Sequence, residues 1–164
     1  MDNMERGGVD PITRLEAIEG IKLVKARYFR ATDTKDYDLL RSVFADDVVF
    51  DARGVVTDPV SGFNLAPGTD EVIRGVDNVI SSNRAALVDI VSVHHASVPE
   101  IEITGPTSGS GIWPMVDLLL FKEGSPFKEI VGYGFYHDTY ERIDGQWKIK
   151  TVRQERTRLD FIPW

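Results

Sequence analysis

The chain has no cysteine, which excludes disulfides, thiolate nucleophiles and thiolate metal ligands together. Histidine is nearly as scarce, three in 164 residues, so imidazole chemistry has few places to reside. No apolar run approaches the ~18 residues of a membrane-crossing helix, and the first residues lack the charged-then-apolar pattern of a secretory signal. There is no glycine-rich phosphate loop after a strand, no Gly-x-Ser-x-Gly elbow and no His-Glu-x-x-His. Like charges are not clustered into a tail, and a net charge of −7 disfavours nucleic-acid phosphates or an anionic membrane as partners. These absences leave a cytoplasmic protein as the expectation, with a small molecule as its partner.

What is present describes one folded domain. Apolar and charged residues make up 42% and 27% of the chain, ordinary for a globular protein, and its length suits one core. Residues 1–10 are expected to form a short disordered leader, 11–160 a single domain, and 161–164 an apolar tail. Asp10-Pro11 offers a helix cap, and Thr13-Arg14-Leu15-Glu16 matches a capping box. Ile12, Leu15, Ile18, Ile21, Val24, Tyr28 and Ala31 then recur at helical spacing, and Asp36 can cap a second helix. Val48–Ala52 reads as a short strand and 57–69 as irregular, either a lid or a surface insertion. Glu71–Arg74 reads as a returning strand and 75–87 as a third helix. Four strand segments follow, about 91–104, 110–121, 129–142 and 146–159, with Asp144-Gly145 as a hairpin turn. Helices first and a long meander last predict an α+β fold, its antiparallel sheet curled around the first helix.

Two of the histidines, His94 and His95, are adjacent. Neighbours on a strand point to opposite faces, so only one can look inward, and the pair is ill-suited to share a metal. Asp117 lies on a strand that is apolar on both faces, where an ionised carboxylate is costly without a partner. Two solutions stay open there. One is a histidine on the neighbouring strand, His94 being within hairpin reach; the other is an arginine or backbone amides. Tyr28 falls on the buried stripe of helix one and Asp33 near its end, but five helical residues leave them about 140° apart. They converge only if the helix ends or unwinds near Thr32.

In the last hairpin Gly132, Gly134, Tyr136, Asp138 and Tyr140 share one face, and the two glycines suggest that something other than a side chain fills that space. Arg153 falls, by alternation, beside Trp147 and Ile149, an odd place for a guanidinium unless it meets a carboxylate or a ligand. Phe50, Trp113, Met115, Tyr136 and Arg153 are the candidate substrate-binding residues.

The run from Ile21 through Tyr28, Asp36-Tyr37-Asp38-Leu39-Leu40 and Phe44-Ala45-Asp46-Asp47-Val48 resembles the SnoaL-like branch of the nuclear-transport-factor-2-like superfamily. So does the ending Gly132-Tyr133-Gly134-Phe135-Tyr136-His137-Asp138 with Asp144-Gly145-Gln146-Trp147-Lys148-Ile149. The resemblance spans roughly residues 11–158. It implies a cone-shaped, strongly curved antiparallel sheet closed by N-terminal helices around an internal apolar pocket. The set Tyr28, Asp33, His94 and Asp117 is similar to that of bile acid 7-alpha dehydratases, and more distantly to scytalone dehydratase and hexachlorocyclohexane dehydrochlorinase. The resemblance thereby implies a dehydratase or isomerase needing neither cofactor nor metal. His94 would remove a proton, Asp117 and Asp33 would support the imidazole, and Tyr28 would donate to the substrate oxygen. The same fold also implies two alternatives, a non-catalytic binder of small molecules and a small structural subunit of a ring-hydroxylating dioxygenase. An apolar outer sheet face adds the expectation of a homo-oligomer, a dimer or trimer.

Overall fold

The computed structural model describes residues 9–164. Most of the expected disordered leader lies outside the described residues, but its last two positions belong to the fold. Val9 packs against the core, and the Asp10 carboxylate accepts from the Ile12 and Thr13 amides at 3.1 Å. Asp10 thus caps α1 (Pro11–Thr34), with proline in the first turn. The helix buries Ala17, Ile21, Val24, Lys25, Tyr28, Phe29, Ala31 and Thr32. Ile12 and Leu15, expected on that stripe, are exposed, since burial on this helix begins only at Ala17. The helix does not unwind at Thr32. It runs to Thr34 and ends at Lys35, whose φ of 58° supplies the left-handed cap.

Asp36 then caps α2 (Tyr37–Val43) through the Leu39 amide. The chain continues through β1 (Phe44–Asp51), β2 (Val72–Arg74) and α3 (Val76–Leu87) to five strands: β3 (Val91–Ala96), β4 (Glu100–Gly105), β5 (Ser108–Leu120), β6 (Phe127–Ile143) and β7 (Gln146–Pro163). One sheet runs in the order β2-β1-β7-β6-β5-β3, and β4 pairs with β5 beyond the reach of β3. The fold is α+β as expected, with a curved, unclosed sheet. That sheet is mixed rather than purely antiparallel, because β1 runs parallel to β7.

Three further expectations change. The segment 91–104 is two strands broken at Ser97–Pro99. Pro114 stands on β5 between the stretches that pair with β3 and β4, so its missing amide costs no ladder bond. Residues 161–163 are the end of β7, paired with β6, and Phe161 packs edge-on against Phe63 and at a tilt against Phe127. The β6–β7 register also shifts between Thr139 and Tyr140, opposite Thr151 and Ile149, leaving Lys150 as an extra residue. Such a bulge reverses the alternation downstream. Trp147, Ile149, Val152 and Gln154 are buried in consequence, whereas Arg153 is exposed.

The other face of β5 presents Ile112, Pro114, Val116, Leu118 and Leu120, all at least partly exposed. No helix among the described residues is long and apolar enough to cross a membrane.

Candidate active site

His94 and Asp117 are direct cross-strand partners, so both project from the same face of the sheet. His95, the other histidine of the pair, is exposed. The imidazole of His94 nevertheless pairs elsewhere. Its Nδ1 lies 2.6 Å from Asp33 Oδ1, and its backbone amide donates to Asp33 Oδ2 at 2.8 Å. The Ser92 hydroxyl reaches Asp33 Oδ1 at 3.0 Å, and Lys35 Nζ lies 2.8 Å from that hydroxyl. Burial by itself would raise the Asp33 carboxyl, but the His94 side chain, the His94 amide and Ser92 together hold it below the usual range. A carboxylate only accepts, so Nδ1 carries a proton and a neutral imidazole has Nε2 as its free base. The Phe29 ring stacks on the imidazole, centroids 6.2 Å apart and 10° from parallel.

Asp117 is 2% exposed and takes the second of its two anticipated solutions. Arg156 grips it through Nη1 at 3.1 Å and Nη2 at 2.8 Å, a bidentate pair. The histidine solution is not the one taken: the side chains form two pairs, His94–Asp33 and Arg156–Asp117, so the support of the imidazole that the resemblance implied for Asp117 comes from Asp33. Gly132 makes the Arg156–Asp117 pair possible, for a Cβ there would collide with both Asp117 and Arg156. Of the two glycines singled out in β6, Gly132 makes room for this ion pair, and Gly134 for the backbone of Glu155 and Arg156 on β7. Arg156 Nε donates to the Val55 carbonyl at 2.8 Å, tying the 52–71 segment to the same pair. That segment is further held by Asp58, which accepts from the Leu159 amide at 3.1 Å, and by Phe63 packed on Phe127 and Phe161.

Tyr28 is buried, edge-on to Tyr136 at 6.0 Å and to Phe44 at 5.8 Å. Burial pushes its phenol well up, and the negative charges of Asp138, Asp117 and Asp33 push it further. It is therefore a donor throughout the ordinary pH range. Tyr136 is raised likewise, first by burial and then by Tyr28 and Asp117.

A second buried group, besides Arg156, escaped the sequence reading. Lys25 is 1% exposed, pairs with Asp138 at 2.7 Å and lies 3.7 Å from the centre of the Tyr136 ring. Burial pushes this ammonium down while Asp138 pulls it back up. The Tyr140 hydroxyl donates to Asp138 at 2.8 Å, and Trp113 Nε1 donates to Tyr140 at 2.9 Å. Trp113 thus anchors a polar network. Met115 is buried with its sulfur 3.7 Å from Arg156 Nη1, and Phe50 packs against the core while partly exposed. Arg153 does not join them; it points outward beside Glu155. Lys25 was readable as a charge one turn from Tyr28 on a buried stripe. Arg156 was not, because it lies beyond the bulge.

A family model described as a SnoaL-like domain matches residues 13–153. A hexachlorocyclohexane dehydrochlorinase of type 2 superposes with a TM-score of 0.75 at 17% identity, covering 93% of each chain. A candidate scytalone dehydratase from Novosphingobium aromaticivorans gives 0.75 at 19% identity, over 94% of this chain and 93% of its own. A candidate aromatic ring hydroxylase from the same species gives 0.73 at 18%, over 90% and 94%. At such identities these likenesses concern the fold.

Proposed function

The chain belongs to the SnoaL-like family of the nuclear-transport-factor-2-like superfamily, and we propose that it is a dehydratase- or isomerase-type lyase working by proton abstraction. The observation that carries this reading is the Asp33–His94 contact, which commits Nδ1 and leaves Nε2 as a base. His94 takes a proton from carbon beside a carbonyl or enone, and Asp33 stabilises the imidazolium that forms. In a dehydration the enolate re-forms the carbonyl as the β C–O bond breaks, and the oxygen leaves as water with the imidazolium proton. In an isomerisation that proton returns to a conjugated carbon. Tyr28, kept protonated by burial, donates to the oxygen that gains charge. Asp117 contributes as the fixed end of a neutral pair with Arg156 on the sheet face beside His94. A positioned base is worth about 10²–10⁴-fold and a donor at the developing oxyanion about 10²–10³-fold. No cofactor enters this scheme.

The charges also favour a substrate class. Asp33, Asp117 and Asp138 are matched by Lys35 (through Ser92), Arg156 and Lys25. An interior so balanced favours an uncharged molecule, hydrophobic and oxygenated, of steroid-like, polyketide-like or aromatic type, held in an apolar pocket. Two neighbours named as a dehydrochlorinase and a candidate dehydratase support an eliminating chemistry. Copies of the chain associate, in this reading, through the apolar outer face of β5. Sedimentation as a monomer at micromolar concentration would remove that part.

The test is His94→Ala against a panel of β-hydroxy ketones of steroid and naphthol size. Turnover should fall by about 10²–10⁴-fold while circular dichroism and ligand binding persist. An unchanged rate sinks the mechanism. Tight binding without turnover by the wild type would favour a non-catalytic binder.

A further inference from the structure

We propose that Ser92 and Lys35 are positioning residues for the His94 base: Lys35 orients the Ser92 hydroxyl, and Ser92 holds the Asp33 carboxylate on His94 Nδ1. This rests on the reading of His94 as the base. The direction of each bond is fixed by chemistry. An ammonium has donors and no acceptor, so at 2.8 Å from Lys35 Nζ the Ser92 oxygen must accept. Its one proton is then left for Asp33 Oδ1 at 3.0 Å. The chain of donors runs from Lys35 to Ser92 to Asp33, where it meets the proton of His94 Nδ1.

Local structure places all four. Ser92 and His94 are two apart on β3, hence on one face. Ser92 is 4% exposed, so its hydroxyl has little access to water. Asp33 and Lys35 flank the end of α1. Lys35 occupies the left-handed cap, a conformation that glycine or asparagine adopts at less cost. Its Nζ also reaches the Thr32 carbonyl at 3.2 Å. A lysine held in a backbone meant for glycine points to work for its side chain. The other groups facing this cluster are the Phe29 ring on the imidazole, the Tyr28 phenol on α1, and on β5 the Asp117 carboxylate already bound by Arg156.

The experiment is imidazole nitrogen NMR on the full chain without substrate, followed by kinetics. In the wild type the neutral His94 ring should show one tautomer, with the proton on Nδ1. Ser92→Ala should give mixed tautomers and lower kcat about tenfold or more at unchanged KM, and Ser92→Thr should restore both. Lys35→Gly suits the backbone, so thermal stability should hold or rise while the tautomers mix. A wild-type tautomer pattern in both Ser92→Ala and Lys35→Gly would overturn the proposal even if stability changed. Should the wild type turn over no substrate while the tautomers respond as stated, the positioning role stands and the reaction assignment fails.

Discussion

Replacing Arg156 with methionine isolates the energetics of the buried pair. The Arg156 and Asp117 side chains are 6% and 3% exposed. Methionine keeps much of the apolar stem and removes only the guanidinium. The neighbouring Gln154, whose amide oxygen accepts from Arg156 Nη1 at 3.1 Å and Nη2 at 3.0 Å, offers Asp117 at most one neutral amide donor, which does not replace two charge-assisted bonds. Breaking such a pair costs about 3–5 kcal/mol, and the lost Val55 bond adds about 1 kcal/mol. For a domain of this length each kcal/mol moves Tm by about 2–4 °C, so the variant should melt roughly 8–24 °C below wild type. Calorimetry or urea titration at pH 7 measures this. The double variant Asp117→Asn, Arg156→Met leaves no buried charge unpaired and should recover much of the loss. A cost below about 1 kcal/mol that the double variant does not change would mean that the pair is solvated, and the charge-balanced interior would fall with it.

Gly132→Ala places a Cβ into Asp117 and Arg156 and should destabilise by about 1–3 kcal/mol while loosening the 52–71 segment; hydrogen exchange at residues 52–71 unchanged from wild type would contradict this. Hydrogen bonds from the Ser61 hydroxyl and amide bring Asp58 down to about 2 from the ordinary 3.8, with Leu159 assisting. A lowered carboxylate stabilises above its unfolded value and loses that contribution as pH falls through the folded one. Pepsin cleavage within 55–65 should therefore accelerate between pH 4 and pH 2, and Asp58→Asn should flatten the response. Equal protection at both pH values would refute the tether.

Much of the fold is written locally. Asp10-Pro11 starts α1, Asp36 starts α2 and Asp144-Gly145 turns the last hairpin, because caps and turns depend on a few adjacent residues. Alternation says that one of His94 and His95 looks inward, and the pairing of His94 with Asp117 on β5 decides which. Parity fails where one inserted residue, Lys150, reverses it. Reading straight across the bulge assigned Arg153 to the interior and hid Arg156, the true partner of Asp117. The parallel pairing of β1 with β7 is equally invisible, since it joins segments a hundred residues apart. Lys25 was missed because its charge argued for solvent, although its position on the α1 stripe and Asp138 on the buried face of β6 were both legible.

The unbroken course of α1 gives the helix a role as a gauge. Tyr28 and Asp33 are separated by about 7.5 Å along its axis and about 140° around it, and no unwinding absorbs that offset. The phenol and the carboxylate that steadies the base therefore leave α1 in different directions and are set by separate levers, the phenol by the helix and the imidazole by Asp33 and β3. On the proposed reading, donor and base can then be disabled one at a time. Tyr28→Phe should lower kcat by about 10²–10³-fold while the Nδ1–H tautomer of His94 stays intact, and loss of that tautomer in the variant would discount the division.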